Sequence, residues 1–227
     1  MAERRRILAG SPVFWLFLKW VLLGPALRLL FRPKVTGLEY IPREGGAILA
    51  ANHVSFLDPL LLPLVVPHRR VMFLTKVKYI DKPLLRWILS GAGVIPVATD
   101  YPRAVGESVR AAVEVVRSGR LVGIFPEGTR SPDGRLYPGK TGVARIALES
   151  GAPVIPVGII GSDLAFPRGA RLPRPRSVRI VFGPPIRFTV PGNKVRSASL
   201  SRTATGQVMA AIRDLSGQQV AEVDQVA

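Results

Sequence analysis

The chain has 227 residues, enough to bury the core of one domain of ordinary size, and 48% of them are hydrophobic. Its 32 Lys and Arg residues outnumber 15 Asp and Glu residues, and the resulting net charge of +17 favours anionic partners. With no Cys, disulfides, thiolate catalysis and cysteine-based zinc sites are excluded, and two His disfavour imidazole-rich metal sites. We expect no metal ion, and we predict no cofactor.

The first 33 residues form an apolar segment with basic flanks. Three arginines, Arg4 to Arg6, precede an apolar run that Lys19 interrupts. A membrane-spanning helix needs about 18 or more apolar residues with few or no charges, and Gly24 and Pro25 are expected to break the helix. We predict two short helices that anchor the protein in the membrane interface, with Trp and basic side chains at headgroup level. The alternative is that both helices pack on the domain.

Residues 34–227 alternate short β-rich runs with helical patterns, as is typical of an α/β fold with a largely parallel sheet. The predicted strands, roughly seven, cover residues 35–38, 47–51, 71–74, 94–97, 121–125, 154–159 and 178–182. The predicted helices cover residues 59–66, 83–89, 104–117, 143–149 and 205–216. We expect one α/β domain whose sheet is flanked by helices.

A histidine and an aspartate follow the apolar run at residues 47–51. If this run is a strand and the next apolar run opens a helix, His53 lies on the turn between them and Asp58 at the helix start. In open α/β sheets, ligands bind at such carboxyl ends of strands. A histidine held by a carboxylate is the usual general base for a hydroxyl. The alternative is an ordinary turn or helix-cap interaction.

A second polar turn continues from the predicted strand 121–125. Glu127 and Arg130 lie on it, at the sheet edge that also carries His53. A guanidinium there can grip a phosphate through paired hydrogen bonds. The carboxylate can receive a hydroxyl, or it can hold Arg130 and neighbouring backbone amides in place. A surface turn with an ion pair between Glu127 and Arg130 is the structural alternative.

Three blocks of sequence resemble the glycerolipid acyltransferase family, whose best-known members are the 1-acylglycerol-3-phosphate acyltransferases. The blocks are Asn52-His53 with Asp58, the run Phe-Pro-Glu-Gly-Thr-Arg-Ser at residues 125–131, and Val-Ile-Pro-Val at residues 154–157. Their order and spacing span about half of the chain. Any one block is weak evidence, but their joint match is specific.

The resemblance implies that the domain is catalytic, with His53 as general base and Asp58 as its orienting partner. It implies transfer of an acyl chain from an acyl thioester, carried by coenzyme A or acyl carrier protein, to the free hydroxyl of lysophosphatidic acid. The product would be phosphatidic acid, and another lysophospholipid or a glycolipid is the alternative acceptor. The glycerophosphate site would comprise four residues of the second turn, Glu127, Gly128, Thr129 and Arg130.

Two lysines are weaker candidates. Lys76 matches a basic position of the family and is a second candidate for the phosphate, the alternative being a solvated lysine at a strand end. Lys140 either serves the phosphates of the acyl donor or simply precedes a helix. In the family an apolar strand is commonly followed by an Asp-Arg pair, whereas here Asp100 is followed by an arginine only at Arg103. We therefore assign no phosphate contact to that loop.

Three further features have simpler explanations. Ser55 is a conceivable nucleophile but more simply a turn or cap residue, and His68 is expected to be exposed. The arginines of residues 168–179 are either a solvated loop or a contact with anionic lipid.

From the N-terminal segment we expect a peripheral or monotopic enzyme at the cytoplasmic face of the cell membrane, with membrane lipids as partners. A basic protein that binds nucleic acid is the competing hypothesis. It is disfavoured because the aromatic residues concentrate in the N-terminal segment instead of alternating with basic ones.

Overall fold

The structure is a computed structural model that describes residues 12–76, 94–97, 102–189 and 197–222. The three N-terminal arginines, the predicted helix at residues 83–89 and the loop at residues 98–100 lie outside these ranges.

The described chain forms a seven-stranded sheet, and the predicted fold class is confirmed. Its strands are β1 (Lys34–Thr36), β2 (Ala47–Ala51), β3 (Val71–Lys76), β4 (Val94–Val97), β5 (Leu121–Ile124), β6 (Val154–Ile160) and β7 (Arg179–Phe182). Their spatial order is β1-β7-β6-β2-β5-β3-β4. All neighbours run parallel except β6 and β7, which pair antiparallel.

Strand β2 lies at the centre of the sheet, and all five of its residues are buried. Because successive side chains of a strand point to opposite faces, Leu49 packs into one core and Ile48 into the other. An unbroken apolar run, without polar alternation, is the pattern of a parallel strand covered on both faces. The polar residues that follow β2 therefore emerge from the densest part of the domain.

Helices cover both faces of this sheet. They are α1 (Pro12–Phe17), α2 (Leu23–Phe31), α3 (Asp58–Val65), α4 (Pro102–Arg117), α5 (Gly142–Ser150), α6 (Ser162–Ala165) and α7 (Ala198–Ser216). Leu61 of α3 and Phe31 of α2 pack into the core that contains Leu49. Helices α4, α5 and α7 pack into the other core, beside Ile48.

The last helix is longer than the sequence predicts, since it begins at Ala198 and not at residue 205. The hydroxyl of Ser197 accepts a hydrogen bond from the N–H of Leu200 and caps the first turn. Inside the helix, Thr205 Oγ1 donates to the carbonyl of Ser201 at 2.7 Å, and both side chains are buried. Residues 197–205 are rich in Ser and Thr, which lowers helix propensity, but the hydroxyl of Thr205 is satisfied inside the helix.

The N-terminal segment contains two helices, but they are not broken at Gly24 and Pro25. A π-helical turn at Leu18–Leu22 joins α1 to α2, and both residues lie inside α2. A proline lacks the N–H that would continue the α-helical pattern, and a wider turn before it accommodates that loss. A Cβ on Gly24 would lie 1.6 Å from the carbonyl oxygen of Lys19, so this turn requires glycine.

Lys19 docks this segment onto the domain. Its ammonium donates to the carbonyl oxygens of Val66 and Pro67, and the residue is only 3% exposed. Burial, together with the nearby charge of Arg28, lowers the pKa of Lys19 to about 8. The expectation that Lys19 lies at headgroup level was wrong, because these carbonyls offer partners inside the protein.

The opposite side of the N-terminal segment is apolar and exposed. Large apolar side chains with at least 46% exposure are Val13, Leu16, Phe17, Trp20, Val21 and Leu29. The guanidinium of Arg28 lies 4.6 Å from the centre of the Trp20 ring. Within the ranges given above, no helix has the length and apolarity needed to cross a membrane.

Candidate active site

Three neighbouring parallel strands end at the same edge of the sheet. Strand β2 pairs in parallel with β5 on one side and with β6 on the other. Their carboxyl ends are followed by His53 after β2, Glu127 after β5 and Ser162 after β6. Because parallel strands present their carboxyl ends together, three separate stretches of sequence meet at one place.

His53 and Asp58 are hydrogen-bonded in this edge. Nδ1 of His53 lies 2.9 Å from Oδ2 of Asp58, and the side chains are 16% and 0% exposed. A carboxylate can only accept, so in this contact a neutral imidazole would carry its hydrogen on Nδ1 and leave the lone pair of Nε2 available. The imidazole stacks on Phe125 with ring centres 4.1 Å apart, which fixes the plane of the ring.

The carboxylate of Asp58 also organises the turn before α3. Its Oδ2 accepts the backbone N–H groups of Val54 and Ser55 at 2.8 Å each, and its Oδ1 accepts the hydroxyl of Ser162 at 2.5 Å. A fully buried carboxylate is costly unless it is hydrogen-bonded, and here both oxygens are. The turn interaction and the histidine contact, posed as alternatives from the sequence, are thus made by one side chain.

Glu127 lies beneath the histidine and is 4% exposed. Its Oε2 accepts the backbone N–H of His53 at 2.8 Å, and its Oε1 accepts the N–H of Tyr137 at 3.1 Å. Burial raises the pKa of Glu127, while the two N–H donors act in the opposite direction. The carboxylate of Glu127 therefore holds backbone amides in place, which is one of the roles considered from the sequence. It forms no ion pair with Arg130 among the described residues.

The rest of the second turn is more open. Gly128 and Thr129 are exposed and Arg130 is half-buried. The guanidinium of Arg130 lies 5.5 Å from the centre of the Phe56 ring, on the turn that carries His53. Gly128 has a φ of 73°, and a Cβ there would lie 3.0 Å from Nζ of Lys140, which is exposed at the same turn. Arg130 is therefore a half-exposed cation beside the turn that carries His53.

The other candidates take different positions. Lys76 is the last residue of β3, so its backbone lies at the same sheet edge, beyond β5. Ser55 is 1% exposed, and its hydroxyl donates to the carbonyl of Phe166 at 3.1 Å, as a turn residue would. His68 is exposed, as expected, and precedes β3 at the opposite edge.

Two contributors to the site were missed or left without a role by sequence reasoning. Ser162 is fully buried and bonds to Asp58, and its only local signal is a Gly-Ser pair after an apolar strand. The amide of Asn52 bridges β2 to β6, where it exchanges hydrogen bonds of 2.9 and 2.7 Å with the backbone of Ile159. This bridge fixes the end of β2 and therefore the position of His53, the residue after Asn52.

Comparison with known proteins places this fold and site among acyltransferases. The family model described as acyltransferase matches residues 32–160, which is more than half of the chain and includes both turns. The chain therefore belongs to the acyltransferase family.

Curated relatives of the chain include 1-acyl-sn-glycerol-3-phosphate acyltransferases. It is 33% identical over 158 residues to a chloroplastic 1-acyl-sn-glycerol-3-phosphate acyltransferase of Brassica napus, covering 69% of this chain and 45% of the relative. It is 33% identical over 132 residues to a 1-acyl-sn-glycerol-3-phosphate acyltransferase of Borreliella burgdorferi, covering 58% and 52%. The chain spans about half the length of these relatives.

A solved structure shares the fold over most of the chain. The crystal structure of the 1-acyl-sn-glycerophosphate acyltransferase of Thermotoga maritima superimposes with a TM-score of 0.65 at 26% identity, covering 89% of this chain and 87% of that one.

Proposed function

We propose that the protein transfers an acyl chain from an acyl thioester to the free hydroxyl of lysophosphatidic acid, forming phosphatidic acid. The observation that carries this proposal is the hydrogen-bonded pair of His53 and Asp58 at the meeting point of three strands. The relatives named 1-acyl-sn-glycerol-3-phosphate acyltransferases support the choice of acceptor.

In the proposed reaction His53 acts as general base. Nε2 takes the proton of the acceptor hydroxyl as its oxygen attacks the thioester carbonyl. Asp58 keeps the ring in the required tautomer and stabilises the imidazolium that forms, as in other His-carboxylate pairs. Collapse of the tetrahedral intermediate breaks the carbon–sulfur bond, and the imidazolium proton passes to the leaving thiolate. The products are an ester and a free thiol, and His53 is again a neutral imidazole.

Direct transfer fits the side chains near the histidine. The chain has no Cys to form an acyl-enzyme. Ser55 is buried, and its hydroxyl is bonded to the carbonyl of Phe166. Its position supports transfer without a covalent intermediate.

Arg130 is the proposed ligand of the acceptor's phosphate. Its guanidinium lies over Phe56 on the turn of His53, and it is free of carboxylate partners among the described residues. A guanidinium can bind phosphate oxygens through two parallel hydrogen bonds. Glu127 would support this site from below, since its oxygens are occupied by backbone N–H groups. Lys76 remains a second candidate for the phosphate.

The substrates of this reaction are lipids, so we place the protein at a membrane surface. The exposed apolar residues of α1 and α2 form a face suited to the bilayer interface. The cytoplasmic face of the cell membrane is the proposed location.

A panel of acceptors tests this function. Purified protein in detergent is given lysophosphatidic acid, a lysophospholipid without a phosphate monoester, or a neutral monoacylglycerol, with coenzyme A and carrier-protein thioesters as alternative donors. Mass spectrometry of the products should show transfer to lysophosphatidic acid from at least one donor. Equal transfer to the neutral acceptor would contradict phosphate selection and favour another acceptor of the same family.

The variant Arg130→Gln makes this test specific. Charge-assisted hydrogen bonds contribute about 1.5–3 kcal/mol, so KM for lysophosphatidic acid should rise about 10- to 100-fold. Arg135→Gln is the matched control, because it removes the same charge from an exposed residue five positions away. An equal effect of both variants would show that only overall charge matters.

A further inference from the structure

A loop of arginines follows helix α6. Residues 167–179, called here the arginine loop, end at the first residue of β7. They contain five arginines, all exposed: Arg168, Arg171, Arg174, Arg176 and Arg179. The sequence has no Asp or Glu between Asp163 and Asp214. None of the five guanidiniums takes part in an ion pair within the described ranges. The loop therefore presents uncompensated positive charge.

Exposed leucines accompany these charges. Leu172, in the middle of the loop, is 78% exposed, and Leu164, in α6, is 57% exposed. The arginine loop has no aromatic side chain that could stack on a nucleic-acid base. Guanidinium groups interspersed with exposed leucines match the headgroup and upper acyl region of an anionic bilayer.

The loop is tied at its start to the candidate active site. The carbonyl of Phe166, immediately before it, accepts the hydroxyl of Ser55, and Ser162 of α6 bonds to Asp58. The N–H of Arg174 donates to the carbonyl of Ala165 at 2.7 Å, which folds the loop back against α6. A surface bound by the loop thus lies next to the turn that carries His53.

At its other end the loop meets the N-terminal segment. The N–H of Val178 donates to the carbonyl of Phe31, the last residue of α2, at 2.9 Å. The hydroxyl of Ser177 donates to the carbonyl of Arg32 at 3.1 Å. These bonds fix the loop between the exposed apolar helices and the active-site turn.

We propose that the arginine loop is a binding surface for anionic lipid headgroups, which holds the active-site edge against the bilayer. The inference rests on the proposed function, since a lipid acceptor has to reach His53 from a membrane. It adds a second membrane contact, distinct from the apolar face of the N-terminal helices, and it makes binding depend on anionic lipid.

Vesicle sedimentation with two matched triple variants tests the proposal. The loop variant is Arg171→Gln, Arg174→Gln and Arg176→Gln in the full chain. The control is Arg110→Gln, Arg187→Gln and Arg202→Gln, which removes the same three charges from exposed positions outside the loop. Both are mixed with phosphatidylcholine vesicles that contain or lack phosphatidylglycerol.

The loop variant should bind vesicles with phosphatidylglycerol about 100-fold more weakly than the unmodified chain, because each arginine near such a surface contributes roughly a fivefold factor. Binding to pure phosphatidylcholine should not change, and the control should stay close to the unmodified chain. If both variants lost vesicle binding equally, the proposal would be overturned, because net charge and not the loop would determine binding. Binding of the same proteins to duplex DNA is measured in parallel. If the loop variant lost DNA binding but kept vesicle binding, the proposal would be overturned in favour of a nucleic-acid surface.

A soluble substrate separates this proposal from the proposed function. With a short-chain lysophosphatidic acid kept monomeric in solution, the loop variant should retain the turnover of the unmodified chain. If the unmodified chain and the loop variant both transferred the acyl chain and bound vesicles equally well, the proposal for the arginine loop would be refuted and the proposed function would stand. If the unmodified chain transferred no acyl chain and only the loop variant lost vesicle binding, the proposed function would be refuted and the proposal for the loop would stand.

Discussion

The active-site turn and the arginine loop are neighbours in the fold but opposite in construction. In the turn, Asp58 is fully buried and both of its oxygens are bonded to groups of the protein. In the loop, all five arginines are exposed and lack ion-pair partners among the described residues. The two regions are joined through Ser162 and Phe166.

This difference indicates what each region does. A side chain whose partners all lie within the protein positions other groups, so its removal should change turnover. An exposed cation without a partner in the protein is free to bind an external anion, so its removal should change binding. Variants in the turn should therefore alter chemistry without altering vesicle binding, and variants in the loop should do the reverse.

Among the residues that support His53, the largest effect is expected from Asp58→Asn. The amide keeps the shape of the side chain but not the charge that stabilises the imidazolium, and kcat should fall about 10²- to 10⁴-fold, the range of a lost general base. Initial rates are compared with those of Asp163→Asn, which neutralises the neighbouring acid of α6 that does not contact His53. Similar rates for Asp58→Asn and Asp163→Asn would show that the buried carboxylate of the turn matters no more than a neighbouring acid.

A smaller effect is expected from Ser162→Ala. It removes the donor to Oδ1 of Asp58, and one hydrogen bond to a charged group corresponds to roughly a tenfold loss of kcat. KM should stay the same, because Ser162 is buried and positions Asp58 without reaching substrate. Ser162→Thr, which keeps the hydroxyl, should recover part of the rate. A raised KM with unchanged kcat would show that Ser162 does not act through Asp58.

Sequence patterns predicted the sheet well because most of its strands contain a continuous apolar run. Strands β2 and β4 begin and end at the predicted residues. The spacing of His53 and Asp58 also predicted their contact, since a strand-turn-helix brings such residues together locally.

Contacts between distant strands could not be predicted in the same way. The bonds from His53 to Glu127, and from Asp58 to Ser162, depend on β5 and β6 lying on either side of β2. Periodicity within a segment contains no information on that order. The burial of Lys19 depends likewise on two carbonyls that lie 47 and 48 residues further along the chain. Its charge predicted exposure, but tertiary packing supplied internal partners.

The smallest effect on turnover, less than about tenfold, is expected from Glu127→Gln, whose clearest signature is in stability. One of two backbone N–H groups loses its acceptor, which costs about 1–3 kcal/mol. Because the pKa of Glu127 is raised in the folded protein, the unfolded chain ionises first, near the ordinary value of 4.5. As pH rises from there through the folded pKa, the wild type loses stability relative to the variant.

Chemical denaturation of both proteins at several pH values measures this difference. The stability advantage of the wild type should be greatest below pH 4.5 and shrink as pH rises. An advantage that grows with pH would mean that Glu127 is stabilised as an anion, and its position beneath the histidine would need another explanation.

The most direct test of the central claim is acyl transfer by His53→Ala beside the unmodified chain. Both proteins are given an acyl thioester with a labelled chain and monomeric lysophosphatidic acid, and labelled phosphatidic acid is measured together with the denaturation midpoint. We expect product from the unmodified chain and a loss of at least about 10²-fold in the variant, with an unchanged midpoint. Equal product from a folded His53→Ala protein would contradict the account.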